Sequence, residues 1–241
     1  MDGDERQSPM NIRSVKPGDE IDLFGNLFAR VFRVSHCIGA VGYVIGSRLA
    51  PALKEEYRGL GNAEIRELVK KGVSLKTEAG EVLQVGYTGD TSREGLFVEN
   101  TTNEDESEAK SALFVQQAFE SRLLFCEATF LDDSQKARDL SVKRRHLHIE
   151  DIVRVLEERQ YAGYDHQLVL MHISGRYSAK GALDHIASVL PRNVASQCLV
   201  AISSHLDQVL RRDEAWTHLV QENGCLLLSD YISVCDSQKQ L

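Results

Sequence analysis

The sequence has no apolar run approaching the ~18 residues that a membrane span requires. Its first ten residues, Met1 to Met10, are polar and acidic, with neither an apolar signal core nor a basic amphipathic pattern. A membrane or secretory fate is therefore not expected, and cytoplasm or nucleus is the default compartment. There is no CxxC pair, and the five cysteines, Cys37, Cys126, Cys198, Cys225 and Cys235, are irregularly spaced and odd in number. This argues against a disulfide framework and a thiolate zinc site, and leaves buried reduced thiols. There is also no surplus of positive charge. With 36 acidic against 28 basic side chains the net charge is -8, which counts against broad electrostatic capture of nucleic acid but leaves room for a local basic face. Internal repeats and low-complexity tracts are absent.

What is present is ordinary for a globular chain able to bury a core: 42% hydrophobic and 27% charged residues over 241 positions, a length suggesting one domain with a small appendage. Residues 1–13 read as a disordered tail, 14–204 as the main domain and 205–241 as a C-terminal helical appendage. β-branched and aromatic residues mark strands at Ile21–Phe24, Ala29–Val34, Val41–Ile45 and Val82–Tyr87. Leu123–Phe125, Leu168–Ile173 and Cys198–Ile202 read as further strands, and Leu226–Leu228 is an apolar run. A helix with Asn62 as its cap and Gly72 beyond its end carries Ile65, Leu68 and Val69 on one face. Ile149, Ile152, Val153 and Leu156 recur at i, i+3, i+4 and i+7 on a second helix, where Glu150 and Arg154 form an i,i+4 pair. Ala179–Leu190 and Leu206–Glu222 are two more. Asn100–Lys110, polar and without period, reads as a loop. The alternation predicts an α/β or layered α+β architecture.

Residues suited to chemistry lie at or just beyond strand ends or before a helix. His36 follows a strand and precedes Gly42-Tyr43. Asp90 lies in Tyr87-Thr88-Gly89-Asp90-Thr91, and Glu127 follows Leu123–Phe125. His146 and His148 flank Leu147 ahead of a helix, and His172 closes the most apolar strand. Taken singly, a histidine beside a strand is more often a hydrogen-bonded structural residue, and Gly-Asp-Thr is more often a turn. Together, neutral imidazoles and a carboxylate are what zinc prefers where thiolates are absent. A carboxylate can bridge two ions, and paired ions suit attack on a phosphodiester.

The strings "PALKEEYRGLGNAEIRELVKKGV" from Pro51, "YTGDT" from Tyr87, "EATFLDD" from Glu127, "HLHIEDIV" from His146 and "LVLMHISGRYS" from Leu168 follow His36 in one order. In this order and wording the chain resembles ribonuclease Z, the tRNA 3′-processing endoribonuclease of the metallo-β-lactamase superfamily, and its short plant form in particular, over roughly residues 14–195. The resemblance implies an αββα sandwich present as its C-terminal part, two zinc ions and precursor tRNA as substrate. It implies that His36, Asp90 and His172 are metal ligands, with Asp90 the bridging carboxylate. His146 is then the non-ligand histidine that helps proton transfer to the leaving group, and Glu127 orients it. Arg176 and Tyr177 match the end of the last motif, where packing and phosphate contact are equal alternatives.

The family's HxHxDH motif does not occur, and residues 1–35 contain no histidine. Neither zinc then has a full protein shell from this chain. The expected activity is removal of the 3′ trailer by a lineage member that is incomplete alone, with another chain supplying the missing N-terminal half; the resemblance also implies a homodimer. The alternatives are a non-catalytic tRNA- or protein-binding scaffold on the same fold and a truncated product with no stable fold. Leu140–Arg145, "LSVKRR", reads as an insertion before His146, with Arg145 in place of the family's glycine. Lys136, Arg138, Lys143, Arg144 and Arg145 form the densest positive cluster. A solvated loop is the plain reading. The alternative is contact of Lys143, Arg144, Arg145 and Arg176 with the RNA backbone.

Overall fold

A computed structural model describes residues 12–97, 105–158, 166–201 and 225–238 of the chain. Nearly all of the expected tail, and the expected helix from Leu206 to Glu222, lie outside the described residues. Eight strands hydrogen-bond in chain order into one sheet. They are β1 (Glu20–Asp22), β2 (Leu27–Arg33), β3 (Val41–Leu49), β4 (Gly80–Tyr87), β5 (Leu123–Glu127), β6 (Gln167–Met171), β7 (Leu199–Ala201) and β8 (Cys225–Leu227). The first four form an antiparallel meander, β4 to β7 run parallel, and β8 returns antiparallel on β7. Parallel neighbours need long crossovers, and the helices supply them. α1 (Asn62–Lys70) precedes β4, and α2 (Glu106–Glu120) joins β4 to β5. α3 (Gln135–Arg144) and α4 (Ile149–Glu158) lead to β6, α5 (Ala179–Val189) and α6 (Arg192–Ala195) lead to β7, and α7 (Leu228–Gln238) follows β8. The layered α/β class expected from the alternation is the class observed. No described helix is long and apolar enough to cross a membrane.

The period-2 alternation of the strands sorts their side chains to two faces. One face sends Phe32, Val44, Leu124, Cys126, Leu168, Leu170, Val200 and Leu226 into a single core with Phe114 of α2, Ile152 of α4, Leu183 of α5 and Tyr231 of α7. The other face carries the cross-strand rows Tyr43–Tyr87–Phe125 and Ile45–Val85–Leu123, which are only half-buried. Residues 225–238, within the expected helical appendage, provide the last strand and place Leu226, Leu228 and Tyr231 in the core.

Several expected elements differ. Asn100–Lys110 is not all loop, because α2 begins at Glu106 behind Asp105, whose side chain accepts from the Ser107 N–H at 2.9 Å. Its acidic first turn suits a helix N-terminus and hides the helix from a hydropathy reading, since its buried residues lie further on, at Phe114, Val115, Ala118 and Phe119. Gly61, not Asn62, is the cap residue of α1, its N–H donating to Glu64 at 2.8 Å. Leu140–Arg144 is helix rather than loop, the second half of α3, whose Ser134 cap accepts from the Ala137 N–H. Glu150 pairs not with Arg154 but with the Arg138 guanidinium across the α3–α4 junction.

α2 lies so close to the sheet that a Cβ on Gly86 of β4 would stand 2.4 Å from the Ala118 carbonyl oxygen and 2.9 Å from its Cα. Backbone cannot give way as a side chain does. Gly86→Ala should therefore cost ~1–3 kcal/mol, the range for overpacking, in urea denaturation. Gly175→Ala, where nothing lies within 4 Å, should cost less than ~0.5 kcal/mol. Equal effects at the two positions would contradict this packing.

Candidate functional site

The site forms where the parallel strands end, the edge at which open α/β sheets gather functional loops. β4 runs into Thr88-Gly89-Asp90, β5 ends at Glu127, and β6 is followed at once by His172. Two further segments lean over this edge: the β2–β3 loop with His36, and the α3–α4 junction with His146. Backbone bonds stitch the loops together. Ser92 N donates to Ser35 O at 2.7 Å, tying the Asp90 loop to the His36 loop. Ala128 N donates to Met171 O at 2.8 Å and Ser174 N to Thr129 O at 3.2 Å, tying the β5 loop to the β6 loop. Phe130 N donates to Leu147 O at 3.1 Å, which holds His146 beside them.

Glu127 is fully buried at 0% exposure. Its Oε1 accepts from the Thr91 N–H at 2.6 Å and its Oε2 from the Thr129 hydroxyl at 2.5 Å, while His146 Nδ1 lies 3.0 Å from both oxygens. A carboxylate can only accept, so His146 carries its proton on Nδ1 and turns Nε2 outward. Thr129 gives its single hydroxyl proton to Glu127, so His172 Nδ1, 2.8 Å from the same oxygen, must donate to it. His36 Nδ1 lies 2.9 Å from the Arg145 carbonyl oxygen, also an acceptor only. All three imidazoles thus have Nδ1–H on an oxygen and an Nε2 lone pair turned away from it, which at His36 meets the Cys37 thiol at 3.3 Å; this is the orientation of metal-ligating histidines.

The rings cluster. His36 and His146 meet edge to face with centroids 4.8 Å apart, and His146 stacks on His172 at 5.2 Å. Two groups of donors lie with their ligand atoms all within 4.8 Å of one another: His36, Asp90 and His146, and Glu127, His146 and His172. Asp90 Oδ1 is 3.8 Å from His172 Nδ1. The Glu127 carboxylate, 3.9 Å from that nitrogen, is the main cause that raises His172 above the ordinary imidazole value. Partial burial opposes it and Asp90 adds to it. His172 also has φ 58°, a left-handed conformation that a side chain adopts at a cost of ~1–2 kcal/mol. The donor set fits a divalent ion such as zinc, being nitrogen and oxygen with oriented second partners.

The expected basic and aromatic residues fall on the neighbouring segments. Arg145 caps α3 at φ 53° and donates through Nη1 to the His36 carbonyl at 3.1 Å. Lys143 and Arg144 occupy the exposed last turn of α3, whereas Arg138 of the same cluster is taken by Glu150. Arg176 is exposed and stacks 4.7 Å over the Phe130 ring. Tyr177 turns inward, and its hydroxyl accepts from Leu131 N at 3.0 Å and donates to Asp132 at 2.7 Å. His148, two residues from His146, is buried and structural: Nε2 donates to Asp132 O at 3.0 Å and Nδ1 accepts from Glu150 N at 3.3 Å. Thr129 and Thr91, which join Glu127 to the rest, are not evident from residue chemistry. The signal for Thr129 is its place two residues after Glu127, on the same side of an extended chain.

No model of a described protein family matches the sequence. The chain is 31% identical over 191 residues to the tRNase Z TRZ1 of Arabidopsis thaliana, a match covering 78% of this chain and 60% of that protein. The ribonuclease Z resemblance carried by the motifs is therefore one of sequence over most of the chain, which spans about 60% of the length of the curated relative it matches. Among solved structures, the metallo-β-lactamase fold protein YhfI of Bacillus subtilis aligns at TM-score 0.38 and 12% identity, covering 73% of this chain and 48% of that one. Human tRNase Z, short form (ELAC1), aligns at TM-score 0.35 and 20% identity, covering 65% and 39%.

Behind the site, the Ser134 hydroxyl first and the Tyr177 phenol second hold the Asp132 carboxyl down to about 2, from an ordinary 3.8. A depressed folded-state value means that its contribution to stability is complete above pH 3.8 and lost as the pH falls through about 2. Asp132→Asn should cost ~1–2 kcal/mol at neutral pH and converge with the parent in urea melts near pH 2. A difference that stays constant across this window would contradict the assignment.

Proposed function

We propose that this chain, similar along 191 residues to a tRNase Z, is the C-terminal part of an αββα metallo-β-lactamase sandwich. In this reading it acts in zinc-dependent hydrolysis of precursor tRNA, removing the 3′ trailer and leaving a 3′-hydroxyl. The observation that carries the reading is the convergence of His36, Asp90, His146 and His172 around one buried carboxylate, on loops that follow the order of the motifs.

The residues divide the work by their chemistry. His36, Asp90 and His172 hold metal in the complete site. Bound zinc supplies Lewis acidity at the scissile phosphate. Glu127 fixes the ring of His146 so that Nε2 faces the reacting centre, where its lone pair first takes a proton from solvent and, as the imidazolium, then gives it to the leaving oxygen. Lys143, Arg144 and Arg145 stand at the end of α3 next to His36 and His146, and Arg176 stands across Phe130. They meet the RNA backbone and position it without reading its sequence. The 241 residues contain no HxHxDH, so cleavage in this reading requires a partner segment that carries that motif from outside them. The half-buried rows Tyr43–Tyr87–Phe125 and Ile45–Val85–Leu123 are the apolar sheet face that such a partner covers.

The purified chain with zinc should leave a trailer-bearing precursor tRNA intact and should remove the trailer when a polypeptide carrying HxHxDH is added. In that mixture His146→Ala should slow cleavage by ~10²–10⁴-fold, the usual range for a lost acid–base group. Replacing Lys143, Arg144 and Arg145 with alanine should weaken tRNA binding and flatten its salt dependence. No cleavage from a mixture that binds both tRNA and zinc would overturn the reading.

A further inference from the structure

The geometry points to a single-ion site made by this chain alone, in which His146 is itself a metal ligand, together with His36 and Asp90, and His172 is not. This rests on the metal-binding reading of the site and not on cleavage of RNA, and it assigns His146 a different task from the one it has in the completed enzyme.

Three observations carry it. The ligand atoms of His36, Asp90 and His146 all lie within 4.8 Å of one another, whereas His36, Asp90 and His172 do not form such a group. An ion held at the usual ~2.0–2.1 Å sets its ligand atoms about 3.4 Å apart. The bound of 4.8 Å on the trio lies ~1.4 Å above this separation, and Asp90 and His36 both sit on loops. Next, both imidazoles of the trio are already oriented for the task. His36 Nδ1 is held by the Arg145 carbonyl at 2.9 Å and His146 Nδ1 by Glu127 at 3.0 Å, which leaves Nε2 of each for the ion. The one competing contact is Cys37 Sγ, 3.3 Å from His36 Nε2. Finally, the second donor group is spent. Glu127 is at 0% exposure with both oxygens occupied by Thr91, Thr129 and His146, so it cannot turn to an ion without breaking these bonds.

Two histidines and a carboxylate make an open three-ligand site with positions left for water. It follows that His146, while on the ion, cannot pass a proton to a leaving group. The chain alone would bind metal in a form unable to cleave, and an added HxHxDH would complete the shell and release His146.

The test is zinc content per chain after equilibrium dialysis of the whole chain against Zn²⁺ alone, with Co²⁺ as a spectroscopic substitute. The expected result is one ion per chain. His36→Ala, Asp90→Ala and His146→Gln should each weaken binding at least tenfold, while His172→Ala keeps the parent affinity. His146→Gln keeps a polar side chain of similar reach but no imidazole, and its melting temperature checks that loss of binding is not loss of folding. Paramagnetically shifted imidazole N–H signals from His36 and His146 should appear in the Co²⁺ form, and the latter should vanish in His146→Gln. Glu127→Gln, acting through His146, should weaken binding by ~10–100-fold. Two ions per chain, none, undiminished binding by His146→Gln, or an equal loss in His172→Ala would each overturn the inference. Trailer removal by the complemented mixture is scored separately: cleavage without the one-ion site leaves the proposed function standing, and the one-ion site without cleavage leaves this inference standing.

Discussion

A carboxylate taken wholly out of water is costly unless every lone pair finds a donor, and Glu127 is such a group. Its donors come from different stretches of chain: the Thr91 N–H after β4, the Thr129 hydroxyl after β5 and the His146 imidazole at the α3–α4 junction. Thr129 passes the connection on to His172 after β6. One buried group therefore fixes the ends of three parallel strands and one helix junction relative to each other. The fold and the site share this constraint, because the same bonds that satisfy Glu127 decide which way two of the three clustered imidazoles point.

The surrounding backbone bears strain where it serves this arrangement. His172 and Arg145 are the only described residues other than glycine with positive φ, and both touch the site directly. Arg145 turns left-handed at the end of α3 and so presents its carbonyl to His36 Nδ1. His172 turns left-handed at the end of β6 and so swings its ring onto His146 and toward Asp90. Such conformations persist only where neighbouring contacts over-determine them, as the bonds around Glu127 and Thr129 do here.

Much of this was legible in the residues. The strands β2 to β6 stand within a few residues of their expected places, and His36, Asp90 and His172 lie just beyond strand ends. The helix at Ile149–Glu158 follows its apolar period. Other parts were not legible, for physical reasons. α2 begins with an acidic turn that looks like a loop, and its buried apolar face comes only further on, at Phe114, Val115, Ala118 and Phe119. α3 is mostly polar, with only Ala137 and Ser141 buried, so hydropathy cannot find it. The separation of His146 from His148 depends on a helix start and a carbonyl at Asp132, which no spacing rule contains. Thr129 is silent because a threonine's role is set by what surrounds its hydroxyl.

The central claim is that a buried carboxylate and two neighbouring oxygens hold the three clustered imidazoles as Nδ1–H tautomers, ready to offer Nε2. Long-range proton–nitrogen correlation spectra of the metal-free chain, taken well above the imidazole titration range, read this directly. The account predicts the Nδ1–H form for His36, His146 and His172, and the opposite Nε2–H form for His148, whose Nδ1 accepts from Glu150. An Nε2–H form at His146, or a tautomer there that is indifferent to Glu127→Gln, would contradict it.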